Sequence, residues 1–185
     1  MAKVFSEITT ELREWIGQQH VFFVATAPLA GNGHINCSPK GGDSFRVLAS
    51  REVVYQDYTG SGAETVAHLR ENGRIVIMFC AFAGPPRIVR LHGRGTVITM
   101  ADSRFEEMAG IFPPHVGTRA FIHLETDRIA DSCGYAVPFY DFREHRDVLD
   151  KSAEKKGPEK LAEYRAENNV RSIDGLPALT DLYRE

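Results

Sequence analysis

Apolar residues recur mostly with a period of two through the first two-thirds of the chain, the spacing of half-buried β-strands. Strand-like runs fall at residues 20–27, 34–38, 45–48, 53–58, 75–82 and 87–98, separated by the turn signals PLAGNG, PKGGD, SRE and GPP. A last strand follows at residues 121–132. Antiparallel strands at this spacing predict a barrel or a sandwich. Helical spacing takes over in three places. Phe5, Ile8, Leu12, Trp15 and Ile16 share one face, with Ser6 as a candidate cap and Gly17 as a stop. GAETVAHLREN sets Val66 and Leu69 on one side, and ADSRFEEMAGIF predicts a short third helix.

From residue 141 onward the apolar period thins, and 20 of 45 residues are charged, 9 basic and 11 acidic. KSAEKKGPEKLAEYRAEN favours helix with a break at Gly157-Pro158. The chain divides into a domain over residues 1–140 and a charged helical tail over 141–185. The tail's charge reads as a solvated face. Such a tail either packs on the barrel or reaches a partner subunit.

At 185 residues and 43% hydrophobic, the chain suits one domain with a sizeable core. A net charge of -3 offers no electrostatic footprint for nucleic acid or an acidic membrane, so neither is an expected partner. The longest apolar run, residues 75–83, is far too short to cross a bilayer, and MAKVFSEITTELREW is too charged for a signal peptide. A cytoplasmic protein is expected. Cys37, Cys80 and Cys133 form no C-x-x-C pair and read as small buried hydrophobes; the 7 histidines show no ligand spacing, so no metal site is expected.

Three stretches could carry chemistry. In HINCSPKGGDSFRVL, Ile35 and Cys37 share a face of the incoming strand, and Lys40 stands at the tip of what reads as a hairpin. The loop is either only a turn or a grip on an anion. In YQDYTGSGAETVAHLREN a strand enters a glycine-rich turn that opens a helix, an arrangement whose free amides suit an anion; small capping residues would read the same way. It lacks the Gly-Lys-Ser/Thr of a P-loop and the third glycine of a dinucleotide fingerprint, where Thr65 stands. In RIVRLHGRGTVI, Arg90, His92 and Arg94 share a face, which is a solvated exterior, the border of an anion site or a subunit interface.

The order of SPKGGDSFRVL, YTGSG, LREN, RIVIMF and RIVRLHGRG resembles the pyridoxamine 5'-phosphate oxidase-like split-barrel flavoproteins. ENGRIVIMFCAFAGPPRIVRLHGRG and CGYAVPFYDF look closest to a bacterial branch described as predicted flavin-nucleotide-binding proteins. The resemblance implies a mainly β fold with some α: an antiparallel six-stranded split β-barrel with flanking helices, binding FMN between the subunits of a homodimer. It implies that Ser38, Lys40 and Arg46 face the FMN phosphate, that Tyr58, Thr59, Gly60, Ser61 and Thr65 form the cofactor turn, and that Arg90 borders the flavin. The protein would be an FMN-dependent oxidoreductase whose substrate is a small molecule, with no protein acid or base strictly needed. A non-catalytic flavin carrier or sensor, or a split barrel using haem or a deazaflavin, are the alternatives.

The chain departs from the oxidases at instructive places. Their Ser-Arg-Lys triplet after the turn is Ala63, Glu64 and Thr65 here, so Lys40 and Arg46 would have to supply the missing charge. Ile88 stands where they present a glutamine to the flavin. FREHRD resembles their Arg-x-His substrate pair through Arg143 and His145, but Asp147 replaces their next arginine, and the chain ends in TDLYRE. Oxidation of pyridoxamine 5'-phosphate itself is therefore not expected.

Overall fold

The computed structural model describes residues 3–183. Eight strands form one antiparallel sheet: β1 (Val4–Phe5), β2 (Val21–Thr26), β3 (Asn36–Gly41), β4 (Phe45–Ala49), β5 (Glu52–Tyr58), β6 (Arg74–Cys80), β7 (Ile88–Ile98) and β8 (Thr118–Ser132). Their spatial order is β3-β2-β6-β7-β8-β5-β4, with β1 paired to β8. The sheet curls without closing, because its terminal strands β3 and β4 are consecutive in the chain yet do not pair with each other. The split-barrel architecture expected from the sequence is present, with more strands than the six of that pattern. One addition is the two-residue β1, which takes Phe5 out of the first helix.

That helix, α1 (Thr10–Gly17), is capped by Thr9, whose hydroxyl accepts from the Leu12 amide, and not by Ser6. It lays Leu12 and Ile16 over the core formed by Phe22, Val24, Val53, Tyr55, Ile77, Phe79, Leu91 and Leu124. Strand β6 turns Ile75, Ile77 and Phe79 inward and leaves Val76 and Met78 half-buried on the outer face. Beside them on β7 stand His92 and Arg90, opposite Val76 and Met78 respectively. Where β7 crosses β8, a bulge brings Gly93 so close that a Cβ would lie 1.9 Å from the Glu125 carbonyl oxygen. Only a glycine fits that crossing.

Helix α2 (Glu64–Asn72) bridges β5 and β6, and α3 (Phe105–Ala109) brings Met108 over Val54, Ile98 and Phe121. Helix α4 (Val148–Asn168) breaks at Gly157, whose φ of 71° a side chain would resist, just before Pro158. Its surface is mostly wet, but Ala153, Leu161 and Arg165 are buried, and the chain beyond it packs Ala178 and Leu179 on α2.

Two local expectations need correction. Cys37 and Cys133 are exposed, and only Cys80 is buried. The SPKGGD stretch is not a hairpin tip: β3 runs through Pro39 and Lys40 to Gly41, and Lys40 pairs with Phe22 of β2. A proline fits there because β3 is an edge strand. Its exposed face carries Cys37, beyond Ile35 at 77% exposure, while Asn36, Ser38 and Lys40 turn inward. The usual polarity of a strand is inverted because the face turned inward looks onto a polar cavity.

Candidate functional site

That cavity, of about 260 Å³, lies where four elements converge. Strand β3 supplies Asn36, Ser38 and Lys40; the end of β5 and the following turn supply Tyr58, Gly60, Ser61 and Gly62; α2 opens with Glu64 and Thr65; and β8 supplies Arg119. Helix α2 has Ala63 at its N-cap, which offers no capping side chain, and its first two residues, Glu64 and Thr65, line the cavity.

Asp57 is the electrostatic centre of the wall. It is fully buried, and its two carboxylate oxygens accept from Lys40 Nζ at 2.8 Å and Arg119 Nε at 2.7 Å. Burial would push its carboxyl up, but the Arg119 guanidinium and the Lys40 ammonium reverse that and hold it at about 2. Asp57 is thus ionised at any ordinary pH. Arg119 also donates through Nη1 to Gly62 O and Asn169 Oδ1. A second buried cation, Arg165, stands behind the turn and donates to Tyr183 Oη, Thr59 Oγ1 and Thr118 O. No carboxylate lies within ion-pair distance of Arg165 among the described residues. Glu64 is half-buried, and its Oε1 accepts from the Ile173 amide.

Below the cavity, Asn36 Nδ2 donates to Thr65 Oγ1 at 2.9 Å, and Ser38 Oγ donates to Asn36 Oδ1 at 3.0 Å. His68 Nδ1 and Thr26 Oγ1 lie 3.0 Å apart. Burial pushes the His68 imidazole down, towards its neutral form, and pushes the Tyr55 hydroxyl well up, with Asp57 adding to the effect.

The structure brings Ser38, Lys40, Tyr58, Gly60, Ser61 and Thr65 to one cavity. Thr59 is adjacent, but its hydroxyl is committed to Gly117 O. Arg46 lies elsewhere: on β4 it grips the Asp43 carboxylate and covers the Phe112 ring at 4.9 Å. Arg90 projects from the outer face of β7 and donates to Ser132 Oγ. Arg119, Arg165 and Asn169 escape sequence reasoning. Asp57 did leave a signal, since an acid at the spacing of Val53 and Tyr55 sits on a buried face and needs a cationic partner.

Beside an open cleft of about 400 Å³ that shares Asn36, Ser61, Gly62 and Glu64 with the cavity, the protein has two larger clefts. One, of about 710 Å³, shares Lys40, Tyr58 and Gly60 with the cavity and is bordered by His115, His145 and Arg146. Tyr58 packs on His115 there, with ring centroids 4.1 Å apart. The other, of about 890 Å³, is rich in aromatic residues, including Trp15, Phe82, Tyr140 and Phe142. Arg143 borders the second and His145 the first, so they do not face one substrate as a pair. Among the described residues no three His, Cys, Asp or Glu side chains group as metal ligands, and no helix is long and apolar enough to cross a membrane.

Comparison with known proteins places this geometry in context. The sequence profile described as pyridoxamine 5'-phosphate oxidase matches residues 8–133. A pyridoxamine 5'-phosphate oxidase family protein of Aspergillus flavus, ustO, is 41% identical over 201 aligned residues, covering 98% of this chain and 79% of its own. Among solved structures, HupZ of Group A Streptococcus superposes with a TM-score of 0.52 at 24% identity, over 66% of this chain and 91% of its own. A proposed pyridoxamine 5'-phosphate oxidase of Lactobacillus delbrueckii gives a TM-score of 0.52 at 14% identity, over 69% of this chain and 98% of its own. At these identities the two structures speak for the fold alone.

Proposed function

Because the chain belongs to the pyridoxamine 5'-phosphate oxidase family, we propose that the cavity walled by Lys40 and Arg119 receives the phosphate of FMN, and that the protein is a flavin-dependent oxidoreductase. One observation carries the reading: the half-buried Lys40 and the buried Arg119 and Arg165 stand against one buried carboxylate, Asp57, and the half-buried Glu64 at the cavity, three cations to two acids. An excess of positive charge in a low-dielectric wall is costly unless an anion completes it. A phosphate monoester, carrying close to two negative charges at neutral pH, fits that need.

The donor chemistry also fits. Lys40 has three N–H donors and gives one to Asp57, while the start of α2 and the Ser61 hydroxyl line the same space; the Ser38 hydroxyl is committed to Asn36. A cavity of about 260 Å³ suits the phosphate end of the cofactor, not the whole of it. When bound, FMN would supply two-electron chemistry. The chain's own residues would hold the anion, keep water from the buried Asp57 pairs, and fix the turn through Thr59 and Arg119.

Arg46 has no part in this grip, since its guanidinium is engaged by Asp43. We propose further that two copies associate through the outer face of β6 and β7, where Val76 and Met78 sit beside Arg90 and His92. Mixing the FMN-loaded protein with NADH or NADPH without oxygen tests the enzymatic reading. Bleaching of the flavin followed by reoxidation with oxygen or a dye is expected of an oxidoreductase, whereas a flavin that stays oxidised marks a carrier or sensor.

A further inference from the structure

The segment past residue 147 looks like a solvated appendage, yet it is bonded to two residues that line the cavity, Gly60 and Arg119. Asn169, just beyond α4, is fully buried. Its Nδ2 donates to Gly60 O at 2.9 Å and its Oδ1 accepts from Arg119 Nη1 at 2.9 Å. One side chain therefore ties the turn to the cation that faces the cavity. Its backbone is held in turn, since the Asn169 amide donates to Arg165 O and its carbonyl accepts from the Leu179 amide. One helical turn earlier, Arg165 is 5% exposed and donates to Thr59 Oγ1 and Thr118 O. A buried guanidinium bonded only to neutral oxygens is a strong demand for negative charge nearby.

We infer that the C-terminal segment backs the anion site, in that Asn169 positions the 60–62 turn and Arg119 while Arg165, behind the turn, supplies charge that makes the site select a phosphorylated flavin over its dephosphorylated form. The inference rests on the flavin reading and adds to it. It also explains how a chain with Ala63, Glu64 and Thr65 after its turn gathers enough positive charge: the cations come from β8 and from the tail. Neither Asn169 nor Arg165 lines the cavity itself: Asn169 is a positioning group, and Arg165 acts through its charge from behind the turn. Binding and tail docking are then coupled, and each strengthens the other.

The test compares FMN with riboflavin, which lacks the phosphate, on the intact chain and on Arg165→Gln, Arg165→Lys and Asn169→Ala. Arg165→Gln is expected to weaken FMN by on the order of tenfold or more while leaving riboflavin nearly unchanged. Arg165→Lys, which keeps the charge, should retain most of the preference for FMN. Asn169→Ala should weaken FMN and speed amide hydrogen exchange in the 60–62 turn. A purely structural role would lower both ligands alike and leave their ratio at the intact value, and that result would overturn the inference.

Lys40→Ala separates the two claims. If it weakens FMN while the Arg165 and Asn169 variants, folded by circular dichroism, keep the intact ratio, the flavin reading stands and the tail inference falls. If the intact chain binds no FMN, the flavin reading falls, and inorganic phosphate becomes the probe. Thermal stabilisation by phosphate that Arg165→Gln and Asn169→Ala lose supports the tail's role; equal stabilisation in those two variants and the intact chain overturns it.

Discussion

Arg119 on β8 donates its Nε to Asp57 on β5 at 2.7 Å, inside a wall where the carboxylate is wholly excluded from solvent. The two residues are 62 positions apart in the chain, and adjacent strands β5 and β8 bring them together. Lys40, arriving on an edge strand, takes the other carboxylate oxygen. The stability of the cavity wall and its affinity for an anion thus depend on the same three side chains.

Removing the acid should destabilise the fold. Asp57→Asn leaves the buried Arg119 and the half-buried Lys40 without their counter-charge, which costs roughly 3 kcal/mol or more. The same pairs set an acid limit. A carboxyl held at about 2 in the folded protein, against 3.8 ordinarily, contributes roughly 2–3 kcal/mol above pH 4. Because its folded value is depressed, that contribution is present above pH 4 and is lost as the pH falls towards about 2. Urea unfolding from pH 6 to pH 2 should show this loss in the natural protein and its absence in Asp57→Asn.

Charge at two nearby basic positions should have opposite consequences. Lys40→Ala removes a cavity-lining ammonium, and FMN affinity should fall about ten- to a hundredfold. Arg46→Ala, outside the cavity and paired with Asp43, should change it by less than about threefold. Fluorescence titration with FMN measures both, and a larger loss in Arg46→Ala than in Lys40→Ala would reverse the assignment.

This contrast also shows what the sequence could convey. The strands and the turn YTGSG were legible because their signals are local: a period of two, and glycines between a strand and a helix. The basic residues were harder to place. Arg46 and Arg119 each sit within a strand of mostly apolar residues, and nothing local says that β8 lies beside β5 while β4 turns Arg46 towards Phe112. Arg165 was hidden differently, because in a segment so rich in charge one arginine carries no mark of burial. Lys40 was noticed as a loop residue, and the structure shows why its strand was missed: the inward face of β3 is polar.

Association through the outer face of β6 and β7 predicts a particle near twice 20.6 kDa by light scattering. Met78→Glu, in the middle of that face, should shift the protein towards the monomer, because it buries a carboxylate against a hydrophobic contact. A monomeric natural protein, or a dimer indifferent to that change, would point to another surface.

Pyridoxamine 5'-phosphate should be a poor substrate despite family membership. A second phosphate needs its own grip, yet Arg143 and His145 open into different clefts, and Arg143 is paired with the adjacent Glu144. Arg184 and Glu185, the last residues of TDLYRE, lie outside the described residues. Without a grip the substrate loses the positioning that lowers a barrier by several kcal/mol. Hydrogen peroxide release should therefore run far below about 1 per second, and turnover at that rate or faster would contradict the argument.

The central claim is that the site walled by Lys40 and Arg119, both paired with Asp57 and backed by Arg165 behind the Thr59 turn, is completed by the phosphate of FMN, and the flavin content of the purified protein tests it most directly. The account predicts a yellow protein, or a colourless one that turns yellow on adding FMN, with about one FMN per chain recovered on heat denaturation. A protein that is colourless as purified and takes up no FMN at micromolar concentration would contradict it.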